Sequence, residues 1–447
     1  VVEYNMEHLE AAMQGEHLLN FVSNRLVEAA LWSFGGSLVG NDRLEFAEMI
    51  RASAGVVLPA ANHSLLDYFV SVQDGRWHLW NERVPHIQLQ EESVLDTSVV
   101  VPTVDTIRNQ HIMKAYLNAR QPVILCGPPG SGKTMTLTDS LKSLSGFDVV
   151  SVNFSSKTMP SLVMKIFDQY GTYQKTPNGL VLRPAVPDKW LIVFCDEVNL
   201  PEQDQYGTQR VISFLRQLVE HQGFWNTKEH LWVHIENIQF VAACNPPTDP
   251  GRVPLSTRFL SHAPVLFVDY PEEQSLMQIY SVFNQILLQS KPSVATLYPQ
   301  LTESMVRFYV LNKQRFSLEQ QPQYVYSPRE LSRWTRALHA AFADRRDVTP
   351  DELVRLSAHE ALRLFSDRLV THEEKKWCQD RLDEVFTSVF AGLSPSVLEK
   401  PILYSRWLDG SYSSVDRGTL RSYLEGRLRQ FNEEELNVPL VLFDDVL

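Results

Sequence analysis

Residues 126–137 read "CGPPGSGKTMTL", and the fold turns on how this stretch is read. An apolar run, "QPVIL" (121–125), precedes it and a helix-forming run follows. Residues 127–134 have the spacing G-x-x-x-x-G-K-T. Glycines so placed let backbone N–H groups turn inward around phosphate oxygens, and the N-terminus of the next helix adds its positive end. The segment is therefore expected to be a phosphate-binding loop formed by Gly127, Pro128, Pro129, Gly130, Ser131, Gly132, Lys133 and Thr134. The nucleotide would be ATP or ADP; Lys133 would reach the β- and, where present, γ-phosphates, and Thr134 would offer its hydroxyl to Mg2+. The bland alternative is a tight Gly-Pro turn with an incidental lysine. The strand before it and the helix after it argue for the phosphate loop.

Outward from the loop, short apolar strands alternate with helices between about 100 and 270: "VILC" (123–126), "VVSVNF" (149–154), "LIVFC" (191–195), "FVAAC" (240–244) and "VLFV" (265–268). Such near-continuous apolar strands predict a parallel sheet covered on both faces. Upstream, residues 3 to about 52 read as helices, with Leu18, Phe21, Val22, Leu26, Ala29 and Ala30 at 3-4 spacing. "DYFVSVQDGRWHLWNERV" (67–84) reads as a hairpin about a type I′ turn at Asp74-Gly75. Downstream, "QSLMQIYSVFNQILL", "RELSRWTRALHAAF" and "DELVRLSAHEALRLF" are helical in pattern. The expected division is 1–95, a helical and hairpin lead-in; 96–271, a large α/β nucleotide-binding domain; 272–391, a small helical domain; and 392–447, a coil-rich connector with one helix. The fold class is α/β, a P-loop NTPase domain with a parallel sheet followed by an all-helical domain.

Composition bounds the chemistry. At 447 residues, 44% hydrophobic and 21% charged, the chain is ordinary globular protein, with length for roughly three domains. A net charge of -12, from 41 basic and 53 acidic residues, argues against a nucleic-acid-binding face. Four cysteines without a CxxC pair read as buried free thiols in a reducing compartment, with Cys126, Cys195 and Cys244 each ending a predicted strand. The 13 histidines lack metal-ligand spacing. No apolar run approaches the ~18 residues of a membrane span and no signal peptide is seen, so neither membrane nor secretion is expected. The chain begins "VVEYNM" and stops at "LVLFDDVL", which reads as part of a longer polypeptide.

Three further motifs carry candidate chemistry. "LIVFCDE" places Asp196 and Glu197 at the C-terminal end of a buried strand, where open α/β sheets bind ligands. Asp196 would hold Mg2+ and Glu197 would orient and deprotonate the attacking water. Alone, the pair would read as a helix cap; after a phosphate loop, at a spacing that allows a crossover, the catalytic reading is expected. "FVAACNPP" brings Asn245 to the end of another strand, as a polar sensor of the γ-phosphate or as a turn asparagine. "YSPREL" opens a helix with Ser327 as cap, Pro328 first and Glu330 completing a capping box, which fixes Arg329 at the second helical position. Arg329 is then either an anion contact or a surface charge. Arg258, in "PLSTRFLSHAP", follows the Asn245 strand and is either a finger toward a neighbouring nucleotide or a solvated charge. Between the carboxylate and asparagine strands, residues 207–240 insert a helix with the apolar stripe Val211, Phe214, Leu215 and Leu218, then an alternating stretch.

Together these motifs resemble the AAA+ ATPases. "VVPTVDTIRN", "CGPPGSGKTMTL", "VNFSS", "KTPNG", "FCDEVNLP", "YGTQRVISFLRQLVEHQGF", "CNPPTDPGR", "YVYSPREL", "AHEALRLFSDRL" and "EEELNVPLVLFDDVL" are similar to the cytoplasmic dynein heavy chains, at the third AAA+ module of their motor ring. That resemblance implies a cytoplasmic, microtubule-associated ATP hydrolase module. Its nucleotide state would gate minus-end-directed motility. The alternative is a module that holds a fixed nucleotide and only transmits conformational change. It implies that Val101, Pro102 and Thr103 cover the adenine, that Asn245 and Arg329 are sensors, and that Arg258 is a finger serving the preceding module. Thr257 stands where the family's "SHRF" carries histidine. Implied partners are neighbouring modules of the same chain, the microtubule through distant parts, dynein intermediate and light chains, and a lissencephaly-type regulator. Without a partner's finger arginine, turnover would be slower by ~10³ to 10⁵.

Overall fold

The computed structural model describes residues 16–434 and 439–443, except residues 86, 88–98, 145, 178, 228, 344, 346, 393 and 395. The helix expected from residue 3 therefore lies outside the described residues as far as residue 15. The chain divides into two compact units, one of residues up to 87 with 100–272, the other from 273 onward.

In the first unit, helices α1 (Glu16–Gly35) and α2 (Gly40–Ser53) lead to an antiparallel hairpin, β1 (Tyr68–Val70) and β2 (Trp77–Leu79). The hairpin forms, but not about a type I′ turn. That turn needs positive φ at both central residues, and only Gly75 has it, at 69°. Asp74 instead accepts a hydrogen bond from the Arg76 N–H at 3.1 Å, an Asx turn within a longer loop. Trp80, fully buried, packs between Phe69 and His111, with ring centroids 4.7 and 5.2 Å away.

The principal sheet has five strands: β3 (Val123–Cys126), β4 (Phe147–Asn153), β7 (Trp190–Asp196), β10 (Ile238–Cys244) and β11 (Val265–Phe267). Their order is β11-β3-β10-β7-β4 and every pairing is parallel. Alternation along β7 explains the double covering. Ile192 and Phe194 face one apolar layer with Met113, Leu117 and Leu137. Leu191, Val193 and Cys195 face the other, with Val163, Phe167 and Leu215. Each such side chain contributes about 1.5–3 kcal/mol by burial. The layers are supplied by helices α3 (Val104–Asn118), α4 (Lys133–Lys142), α5 (Pro160–Tyr170) and α6 (Arg210–His221). Because all five strands run one way, their C-terminal ends share one edge, which brings the loops after Cys126, Asp196 and Cys244 together.

A second sheet was not evident in the pattern. β5 (Gly171–Thr176), β6 (Gly179–Pro184), β8 (Gly223–Asn226) and β9 (Leu231–Ile235) pair in the order β5-β6-β9-β8. It shares the apolar layer of α5 and α6, with the rings of Phe167 and Phe224 stacked at 5.8 Å. On α6 the buried stripe is Val211, Ile212, Leu215 and Leu218. Phe214, expected in that stripe, is only partly buried and meets the Phe224 ring edge-on at 5.9 Å.

The second unit is helical: α8 (Glu273–Gln289), α9 (Tyr298–Arg315), α10 (Pro328–Phe342), α11 (Pro350–Phe365) and α12 (His372–Val389), followed by a two-residue pairing, β12 (Tyr404–Ser405) with β13 (Ser413–Ser414), and α13 (Arg417–Glu434). Phe308 meets the Trp334 and Phe365 rings at 6.2 and 5.1 Å in its centre. Part of the segment expected as connector belongs to this core: Val397, Ile402 and Tyr404 are buried in it. Arg355 fixes that segment by donating to the carbonyls of Val397, Glu399 and Pro401 at 2.8, 3.1 and 3.2 Å.

Candidate nucleotide site

The phosphate loop joins β3 to α4. Gly130 and Gly132 have φ of 84° and 86°, a region that side chains rarely adopt, and Gly132 leads into the helix in that left-handed form. Gly127 is required for another reason: a Cβ there would lie 2.0 Å from the carbonyl oxygen of Val268. The first turn of α4 has no acidic residue and no side-chain cap, so its N–H groups and the helix's positive end are left for an anion. The Ser131 hydroxyl is buried with no hydrogen-bond partner among the described residues. The loop thus has the donors and the open backbone that a nucleotide phosphate requires.

Lys133 is 8% exposed and donates to three acceptors: the carbonyls of Gly127 and Pro128 at 2.7 and 3.0 Å, and Oδ1 of Asn245 at 3.1 Å. Burial pushes its pKa below the ordinary lysine range. The structure therefore brings Lys133 and Asn245, 112 residues apart, into direct contact. Thr134 donates its hydroxyl to Oδ2 of Asp196 at 3.2 Å, and Asp196 Oδ1 accepts the Glu197 N–H at 2.9 Å. Thr134 and Asp196 fit the pair that would hold Mg2+, with phosphate oxygens and water completing the shell. No cluster of three or more His, Cys, Asp or Glu able to hold a metal occurs among the described residues.

Glu197 sits at φ 58°, unusual for a side chain of its size. The backbone bonds from Val198 N–H to Ala243 O and from Leu200 N–H to Glu197 O, both 3.0 Å, hold this turn beside the end of β10. Its carboxylate is ion-paired with Arg252. Sequence reading gave Arg252 no role: it closes the motif "CNPPTDPGR", 55 residues from Glu197, and only folding places the two together. Asn199 was also missed. Its side chain donates to the carbonyl of Asn245 at 2.8 Å and its carbonyl accepts the Val253 N–H at 2.9 Å, joining the two strand-end loops. Tyr270, a third, donates to the Pro129 carbonyl at 2.9 Å.

The remaining expected residues lie elsewhere. Val101 and Thr103 are buried at the start of α3, Pro102 between them is partly buried, and the Thr103 hydroxyl caps the helix by accepting the Thr106 N–H at 3.3 Å. Arg258 lies on the short helix α7 (Thr257–Leu260), capped by Ser256, and is exposed. Arg329 belongs to the second unit. The capping box at Ser327 and Glu330 forms as expected, with Glu330 Oε2 accepting the Ser327 N–H at 2.8 Å, and the Arg329 side chain is exposed.

Comparison with known proteins accounts for this arrangement. Residues 89–271 match the family described as P-loop containing dynein motor region. Residues 283–375 match the dynein heavy chain ATPase lid domain, and residues 1–82 the dynein heavy chain AAA lid domain. The whole chain aligns with proteins named dynein heavy chain, cytoplasmic: 50% identical over 448 residues in Dictyostelium discoideum, 48% over 449 in Drosophila melanogaster and 46% over 450 in Neurospora crassa. It spans 10% of the length of each of these relatives. The parallel sheet with its phosphate loop is the AAA+ large domain, and the helical unit that follows contains the lid match. The chain therefore belongs to the dynein heavy chain family.

Proposed function

We propose that this chain is an ATP-binding and ATP-hydrolysing regulatory module, the third AAA+ module of a cytoplasmic dynein motor ring. The observation that carries the proposal is the convergence, on one sheet edge, of Lys133 on Asn245 and of Thr134 on Asp196, with Glu197 beside them. Lys133, Ser131 and the start of α4 would bind the phosphates. Thr134 and Asp196 would hold Mg2+, which supplies charge neutralisation between the phosphate oxygens when bound. Asn245 would orient water or the γ-phosphate, and Glu197 would take the proton of the attacking water. Val101, Pro102 and Thr103 would line the adenine side.

Arg252 gives this reading a regulatory element. While it holds one oxygen of the Glu197 carboxylate, it competes with the attacking water for the base, so release of that ion pair would favour hydrolysis. The same contact favours the second reading, in which nucleotide stays bound uncleaved and the module transmits strain. On resemblance, Arg329 would act as second sensor from the helical unit and Arg258 as the finger of the preceding module. The microtubule, dynein intermediate and light chains and a lissencephaly-type regulator would be partners of the whole motor, in the cytoplasm. The relatives, named as cytoplasmic dynein heavy chains, support that placement.

The test is Glu197→Gln in the full-length motor, read as microtubule-stimulated ATPase and gliding velocity. Collapse of both, while the other sites still bind ATP, is the expected result. Near wild-type values would leave the nucleotide a structural one.

A further inference from the structure

Two cysteines that the proposed reaction does not use sit at its base. Cys126 and Cys244 are the last residues of β3 and β10, and they are register partners in adjacent strands. Both side chains belong to the same apolar layer, side by side on adjacent parallel strands. Both are free. Each immediately precedes a group that holds Lys133: Gly127, whose carbonyl accepts its ammonium at 2.7 Å, and Asn245, whose Oδ1 accepts it at 3.1 Å.

We propose that Cys126 and Cys244 are an oxidisable pair that closes to a disulfide under a peroxide and thereby shuts the phosphate site above it. The inference rests on the reading of residues 127–134 as that site. Cys126 is the attacking thiol. It is partly exposed, whereas Cys244 is buried. The neighbouring Cys244 thiol lowers its pKa, with the Lys133 charge adding to the effect, and the Cys126 thiol and burial raise that of Cys244. The Cys126 sulfur attacks one peroxide oxygen and the O–O bond breaks. The thiol proton and the departing hydroxide make one water. The Cys244 sulfur then attacks the resulting sulfenic acid, the S–S bond forms as the S–O bond breaks, and the second hydroxide leaves with the Cys244 proton as water. Two thiols lose two electrons and the peroxide gains them.

The consequence follows from spacing. The backbones of paired residues on neighbouring strands lie about 4.8 Å apart, within the roughly 4.4–6.8 Å of disulfide-linked Cα atoms, but the linked Cβ atoms must close to about 3.8 Å. Closure therefore turns the two Cβ atoms toward each other and tilts the backbone that carries them, displacing by up to roughly 1 Å the Gly127 carbonyl and Asn245 side chain that hold Lys133. A shift of about 1 Å in a phosphate-positioning group can cost ~10² in function.

The experiment uses the full-length protein, treated with hydrogen peroxide or left reduced. Peptide mapping reads the bridge, and hydrogen exchange of residues 126–137 with and without ATP reads the site locally. The expected result is a 126–244 linked peptide and about tenfold or greater weakening of ATP protection, reversed by dithiothreitol and absent in Cys244→Ala. Cys126→Ser should be equally insensitive. No linked peptide, a linked peptide with unchanged protection, or equal loss in Cys244→Ala would each overturn the switch. If the reduced protein shows no ATP protection at all, the nucleotide reading fails and the switch with it, while peptide mapping still reports separately whether the bridge forms.

Discussion

Lys133 and the two arginines, Arg258 and Arg329, are all cations expected to meet nucleotide, yet they sit in opposite surroundings. Lys133 is buried, held by three acceptors of its own unit and desolvated enough that its pKa is depressed. Arg258 and Arg329 are exposed at the starts of capped helices, and their guanidinium groups have no partner among the described residues. The difference teaches which parts of the proposed machinery one unit completes by itself. The phosphate-holding edge is assembled within the first unit, residue by residue. The arginines are held only through their backbone, by caps that set direction and leave the charge free for something else to meet.

Mutations can break or sharpen this contrast. The largest effect is expected from Glu197→Gln, which keeps ATP bound at this site but lowers its turnover by roughly 10² to 10⁴, the range for loss of a general base; single-turnover hydrolysis in the full-length protein reads it. Lys133→Ala removes a charge-assisted contact of about 1.5–3 kcal/mol and should weaken ATP here roughly 10- to 150-fold, read as ATP-dependent exchange protection of residues 126–137. Its pH dependence has a definite sign. Bound phosphate raises the pKa that burial lowers, so ATP binding takes up protons and affinity falls as pH rises through the depressed Lys133 pKa. Equal affinity across that range would break the link between burial and anion binding.

Gly127→Ala should destabilise the first unit by about 1–3 kcal/mol, because the added methyl group meets backbone at Val268 rather than a movable side chain. A thermal melt that leaves the helical unit's transition unchanged while lowering the other is the expected signature. Arg252→Ala frees Glu197 and should raise basal turnover by up to about fivefold, the equivalent of the ~1 kcal/mol that a partly exposed ion pair supplies. A fall in turnover would instead make Arg252 part of the catalytic set. The smallest effect is expected from Arg258→Ala and Arg329→Ala on folding, within about 0.5 kcal/mol by denaturant unfolding, since both side chains are exposed and neither is paired among the described residues.

Much of this was legible in the sequence. Four of the five parallel strands stand out as short, nearly continuous apolar runs, while β4 mixes Asp148, Ser151 and Asn153 with its valines, and the phosphate loop stands out because glycines, lysine and threonine are fixed by local spacing. The capping box at Ser327 is equally local. What escaped reading is long-range or low in contrast. β5 alternates between exposed and half-buried residues, so it offers no apolar signal, and its sheet becomes coherent only when β9 inserts beside β6. Phe214 and Ile212 are both apolar on one helix, and only packing decides which is covered. Arg252, Asn199 and Tyr270 meet the site through loops whose course no periodicity encodes. The turn at Asp74 was misread because Asp-Gly also suits an Asx turn in which glycine alone takes positive φ.

The most direct measurement is hydrogen exchange on the full-length protein with and without ATP, followed at residues 126–137 and 194–199. The account predicts slowed exchange in both segments, shifted to at least about tenfold higher ATP by Lys133→Ala and unchanged in Arg258→Ala. No slowing in either segment, or equal loss in the two variants, would contradict a phosphate site completed within the first unit.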